Sequence, residues 1–129
     1  MSLYDISPDD VFQMTDHHPQ IPTFLPLTEA TYFILLSLAP GPKHGYAIMK
    51  EVQQMSQGRV TFSTGTLYGA IKRLLDLGWI IRFGENPDES GRTRKSYELS
   101  NLGRSILNAE ISRMRNLVQL AASIKSQEI

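Results

Sequence analysis

Leu67, Ile71, Leu74 and Leu75 recur at steps of three and four, which sets them on one face of a helix spanning Ser63–Leu77. Ser63 or Thr64 can cap its start by accepting a bond from an unpaired first-turn amide. Gly78 stops it, because glycine takes the left-handed conformation after a helix without penalty. Upstream, Ala30, Phe33, Ile34 and Leu38 predict a helix over Glu29–Leu38, with Thr28 as cap and Pro40-Gly41-Pro42 as terminator. His44-Gly45-Tyr46 opens another that runs to about Ser56, with Ile48, Met49, Val52 and Met55 on its inward side. Gly58 and Arg59 make a turn, and Val60-Thr61-Phe62 is expected to add a short strand before Ser63.

Beyond Gly78 the period changes. Trp79–Phe83 and Ser96–Leu99 read as paired strands, joined by a polar loop, Gly84–Lys95, that ends in Arg92, Arg94 and Lys95. Ser100 then caps a last helix, from Asn101 to about Lys125. At ~1.5 Å per residue such a helix is roughly 37 Å long, longer than so small a domain is wide. It carries two apolar stripes: Leu107, Ile111, Met114, Val118 and Ala121, and Ile106, Leu117, Leu120 and Ile124. One can pack on the chain's own helices. The other needs a partner, which a second identical chain supplies.

Ahead of this body, Ser7-Pro8-Asp9-Asp10 predicts a short helix reaching about Thr15. Pro19, Pro22 and Pro26 then predict an extended connector. The expected organisation is an acidic arm over residues 1–26, a winged helix-turn-helix over 27–100 and a dimerisation helix over 101–129. The fold class is mainly α with a small two-stranded β wing.

Composition adds limits. A chain of 129 residues makes one domain with at most a tail, and no apolar run is long enough to span a bilayer. Met1-Ser2-Leu3-Tyr4-Asp5 has no basic stretch followed by an apolar one, so no secretory signal is expected. The absence of cysteine excludes disulfides and thiol catalysis and fits a reducing compartment, with the cytoplasm as the expected location. Net charge is zero, but it is unevenly spread. Residues 1–26 carry −4 from Asp5, Asp9, Asp10 and Asp16, leaving thirteen Lys and Arg against nine acids in the remainder. Any nucleic-acid footprint must therefore be local.

The outward face of the Ser63–Leu77 helix holds the candidate chemistry. Thr64, Gly65, Tyr68, Gly69 and Lys72 fall together there. Two glycines inside a helix together cost about 1.5–2 kcal/mol against alanine, a cost that makes sense where something large must approach the backbone. Hydroxyls, a tyrosine and a lysine beside a bare first turn suit phosphates and base edges. A plain solvated face is the alternative. Other candidates have simpler readings. Asp16-His17-His18 lacks the spacing of a metal site, His44 fits a cap or packing role, and Trp79 fits core filling. No triad or phosphate-cradling glycine loop points to an enzyme, and no cofactor is expected.

The ordered set His44-Gly45-Tyr46, Ser63-Thr64-Gly65-Thr66-Leu67-Tyr68, Ile71-Lys72-Arg73-Leu74, Gly78-Trp79-Ile80, Gly91–Ser100 and Gly103-Arg104 resembles the PadR-like transcriptional regulators. The likeness extends from about Thr28 to Leu107. It implies a dimeric repressor that sits on an inverted-repeat site in double-stranded DNA and is released by a small-molecule effector, expected between the final helices and the reading domains. It also implies that Ser63, Thr64, Thr66, Tyr68 and Lys72 contact the major groove, and that Arg92, Arg94 and Lys95 contact the adjacent backbone. The dimer contacts would be Ile106, Leu107, Ile111, Met114, Leu117, Val118, Leu120, Ala121 and Ile124. The chain departs from the family in having Gly69 where proline is common, and in a final helix without an aromatic residue. A winged-helix module that binds protein rather than DNA is the competing reading, and net charge zero is its best support.

Overall fold

The computed structural model describes residues 21–87 and 89–128. The expected helix from Ser7 to about Thr15 and the Asp16-His17-His18 sequence lie outside them. Two compact units divide the chain, Leu27–Arg104 and a second formed by the residues before and after it.

The unit Leu27–Arg104 begins with helix α1, Glu29–Leu38, capped by Thr28, whose hydroxyl accepts from the Thr31 amide at 3.2 Å. A two-residue strand β1, Lys43–His44, leads into α2, Gly45–Met55. Helix α3, Thr64–Asp76, follows, and then strands β2, Ile80–Pro87, and β3, Thr93–Leu99. The strands form one antiparallel sheet in the order β1-β3-β2. The last helix, α4, spans Asn101–Glu128. This is a winged helix-turn-helix with a long terminal helix.

The core of this unit is built from inward positions of the three helices α1, α2 and α3 and of the wing. Ile34, Leu35 and Leu38 of α1, Ile48 and Val52 of α2, and Leu67, Ile71 and Leu74 of α3 are buried, as are Trp79, Ile80, Tyr97 and Leu99. Each such side chain contributes roughly 1.5–3 kcal/mol when fully removed from water. Met49, Met55 and Leu75, expected inside, are only half-buried. Ser100 links the sheet to α4, since its hydroxyl donates to the Gly78 carbonyl at 2.6 Å and accepts from the Gly103 amide at 3.0 Å.

Several local expectations need correction. Val60-Thr61-Phe62 is not a strand. The buried Ser56 hydroxyl accepts from the Val60 amide at 2.9 Å and lies 3.3 Å from its carbonyl, so Val60's backbone is held by a side chain instead of a ladder. The third strand is Lys43–His44, next to β3, where His44 Nδ1 meets the buried Ser96 hydroxyl at 3.1 Å. The wing strands reach further than expected, to Pro87 and from Thr93, with Glu85 opposite Lys95 in register. One extra residue, Phe83, sits on β2 between the pairs Arg82↔Tyr97 and Gly84↔Ser96, a bulge of the kind that bends and twists an edge strand. Around Pro22 the chain is not extended. Ile21–Phe24 forms a 3₁₀ turn, closed by the Leu25 amide on the Pro22 carbonyl at 3.3 Å, because the φ that proline fixes suits that turn as well as an extended strand.

In the second unit, Ile21, Ile106, Leu107 and Glu110 are buried. The Glu110 carboxylate accepts two bonds from the Arg113 guanidinium, at 2.6 and 3.0 Å. No helix among the described residues is long and apolar enough to cross a membrane.

Candidate nucleic-acid interface

Burial of Leu67, Ile71 and Leu74 fixes the rotation of α3 about its axis. The same rotation turns Thr64, Gly65, Tyr68, Gly69 and Lys72 outward, and all five are exposed. Gly65 and Gly69 have neither a positive φ nor any atom within 4 Å of the place a Cβ would take. No strain and no neighbour among the described residues calls for glycine at either position. The exposed face of α3 thus has two bare positions among Thr64, Tyr68 and Lys72 that no described residue accounts for, and its first turn presents unpaired amides at the positive end of the helix dipole.

Around this bare strip the polar groups divide into engaged and available. Ser63 Oγ accepts from the Thr66 amide at 3.2 Å and donates to Thr66 Oγ1 at 3.0 Å, so these two hydroxyls cap α3. Lys72 is paired with Asp76 at 3.1 Å, but both are highly exposed. An i,i+4 surface pair of this kind is worth only about 0.3–0.5 kcal/mol, so a phosphate can draw Lys72 away. Tyr68 is 41 % exposed, and its hydroxyl has no hydrogen-bond partner among the described residues.

The wing brings its bases to the same place. Tyr68 of α3 lines a cleft of about 330 Å³ together with Arg92, Thr93, Arg94, Lys95 and Tyr97. The residues expected to contact bases and those expected to contact backbone therefore meet at Tyr68, although they lie more than twenty positions apart. Tyr97 is buried, which raises its phenol above the usual range; the Tyr68 phenol adds to that rise and Arg82 opposes it. Arg94 also lines a second cleft, of about 520 Å³, between the wing and the first turns of α2, with His44, Tyr46 and Lys50 on the helix side. The Lys50 ammonium lies 5.6 Å from the centre of the Tyr46 ring. Tyr46 and Lys50 are exposed residues that the sequence reading left out. Their i,i+4 spacing on the polar side of α2 was the signal that could have found them.

The residues expected to form a dimer fall into three groups. Ile106 and Leu107 are buried in the single chain, and Ile111 and Met114 are half-buried. Leu117, Val118, Leu120, Ala121 and Ile124 are exposed. No group of three or more His, Cys, Asp or Glu that could hold a metal occurs among the described residues.

The sequence profile of the transcriptional regulator PadR-like family matches residues 34–109, more than half of the chain. The chain belongs to the PadR-like family. The matched stretch takes in α2, α3 and the whole wing. A curated relative, an uncharacterized 37.1 kDa protein in transposon TN4556 of Streptomyces fradiae, is 38% identical over 89 residues, covering 69% of this chain. The chain spans only 24% of that protein's length. Among solved structures, a PadR family transcription regulator from Clostridium difficile is similar with a TM-score of 0.62 and 26% identity, over 75% of this chain and 98% of that one. Bacillus subtilis PadR, solved in complex with operator DNA, shares the fold with a TM-score of 0.55 and 23% identity, over 63% of this chain and 45% of that one.

Proposed function

We propose that this PadR-like chain is a sequence-specific DNA-binding repressor, acting as a homodimer on an inverted repeat and released by a small-molecule effector. In this reading α3 lies in the major groove. Thr64, Tyr68 and Lys72 reach phosphates or bases, Ser63 and Thr66 stand at the helix start, and Arg92, Arg94 and Lys95 grip the backbone beside it. The observation that carries the reading is the pair Gly65 and Gly69, which open the exposed face of α3 although nothing among the described residues requires it. The cleft that joins Tyr68 to the wing bases supports it, as does the operator-bound state of the Bacillus subtilis relative. The exposed residues Leu117, Val118, Leu120, Ala121 and Ile124 of α4 support the dimer.

The test is a fluorescence-anisotropy titration of labelled duplex DNA taken from immediately upstream of the chain's own coding region, compared with a scrambled duplex. The upstream duplex should bind more tightly. Its affinity should fall with added salt, with a log–log slope near −0.9 for each phosphate neutralised. Equal affinity for both duplexes, or binding indifferent to salt, would contradict the reading and favour a surface that docks protein.

A further inference from the structure

Gly45, the first residue of α2, is buried, yet it is not one of the glycines with positive φ. Its backbone would accept alanine, and alanine is the better helix former. What excludes a side chain there is one neighbour. A Cβ at position 45 would stand 2.5 Å from Oη, 2.9 Å from Cζ and 3.1 Å from Cε1 of Tyr68. All three distances are shorter than the about 3.5–4.0 Å at which carbon contacts are comfortable. These atoms belong to the far end of a ring that comes from α3.

We infer that Gly45 is a positioning residue for Tyr68: its missing side chain is the space in which the phenol rests. The Tyr68 hydroxyl has no hydrogen-bond partner among the described residues, and the residue is 41% exposed. Without the shelf at Gly45 the ring would take other staggered rotamers. With it, Tyr68 stands beside Tyr97 and the wing bases in the smaller cleft. The electrostatic influence of Tyr68 on the Tyr97 phenol is a second sign that the two rings are close. Gly103 makes a useful contrast. A Cβ there would run into the backbone carbonyl of Trp79, which cannot swing aside, so its role is packing. The obstacle at Gly45 is the outer end of a partly exposed side chain, so alanine there should displace Tyr68 and leave the fold in place.

This inference rests on the proposed reading of Tyr68 as a DNA contact, and the experiment separates the two. Gly45→Ala, Tyr68→Ala and the double variant are compared for affinity to the upstream duplex and for melting temperature. Gly45→Ala should keep the parent's melting temperature and lose about tenfold in affinity, while in the Tyr68→Ala background the same substitution should change affinity less than about twofold. Losses that add in the double variant would overturn the inference and leave the role of Tyr68 intact. A melting temperature lowered by Gly45→Ala and not restored by Tyr68→Ala would overturn it too, by showing that Gly45 serves the core. Should Tyr68→Ala alone bind like the parent, the reading of Tyr68 falls and this inference with it.

Discussion

Gly65 and Gly69 each cost α3 about 0.8–1.0 kcal/mol against alanine, and among the described residues no atom within 4 Å of either missing Cβ accounts for it. Replacing both with alanine should therefore stabilise the domain by up to about 1.5–2 kcal/mol, read as a higher melting temperature. The same change should weaken binding to the upstream duplex by about tenfold or more, because methyl groups now stand where the groove must close on the helix. A double variant that is both more stable and equally tight would show that the bare face has no partner. At this scale the sequence was informative about direction and silent about contact. The period of Leu67, Ile71 and Leu74 was enough to place Tyr68 and Lys72 outward. The mutual bonding of Ser63 and Thr66, and the rest of Tyr68 against Gly45, depend on side-chain geometry that periodicity does not encode.

The wing, β2 and β3, was legible where its strands are apolar and hidden where they are not. Trp79, Ile80, Tyr97 and Leu99 mark the buried half. In the outer half Glu85 and Lys95 face each other in register on a ladder that only the backbone specifies, so polar composition reads as loop. Val60-Thr61-Phe62 failed in the opposite sense. Its residues favour strand, but the Ser56 hydroxyl holds the Val60 backbone that a neighbouring strand would need. In α4, Glu110 interrupts the apolar positions and is nevertheless buried, because Arg113 one turn on meets it with two bonds. The proposed task of the wing follows from Arg92, Arg94 and Lys95 beside Tyr68. Changing all three to alanine should flatten the salt dependence of duplex binding by up to about three phosphate equivalents, with little change in the preference for one sequence over another. A slope equal to the parent's would show that these bases are a solvated charge run.

For the molecule as a whole, charge and apolar surface are both unevenly placed. Net charge is zero because residues 1–26 carry −4 against +4 in the remainder, so a local basic face survives in a neutral chain. Along α4, Leu117, Leu120, Ala121 and Ile124 recur at i, i+3, i+4 and i+7, and Leu117 and Leu120 are 53% and 58% exposed. A stripe of that kind on a helix calls for a partner. In the proposed dimer a second copy of the chain would provide one and at the same time double the number of reading helices. A two-fold pair of readers would require an inverted repeat, and linking them would raise apparent affinity about 10²–10⁴-fold over one domain alone. The fold was legible at this scale because many weak signals came in one order, from His44-Gly45-Tyr46 to Gly103-Arg104. The proposed assembly rests in the sequence on surplus apolar circumference alone, and one sequence does not say how much of that circumference the single chain covers: Ile106 and Leu107 prove to be buried within it. Analytical ultracentrifugation at low micromolar concentration, with and without the upstream duplex, puts the central claim to the test. The account predicts a dimer that sediments as two chains on one inverted repeat; an intact chain that runs as a monomer and still binds that repeat tightly would contradict it.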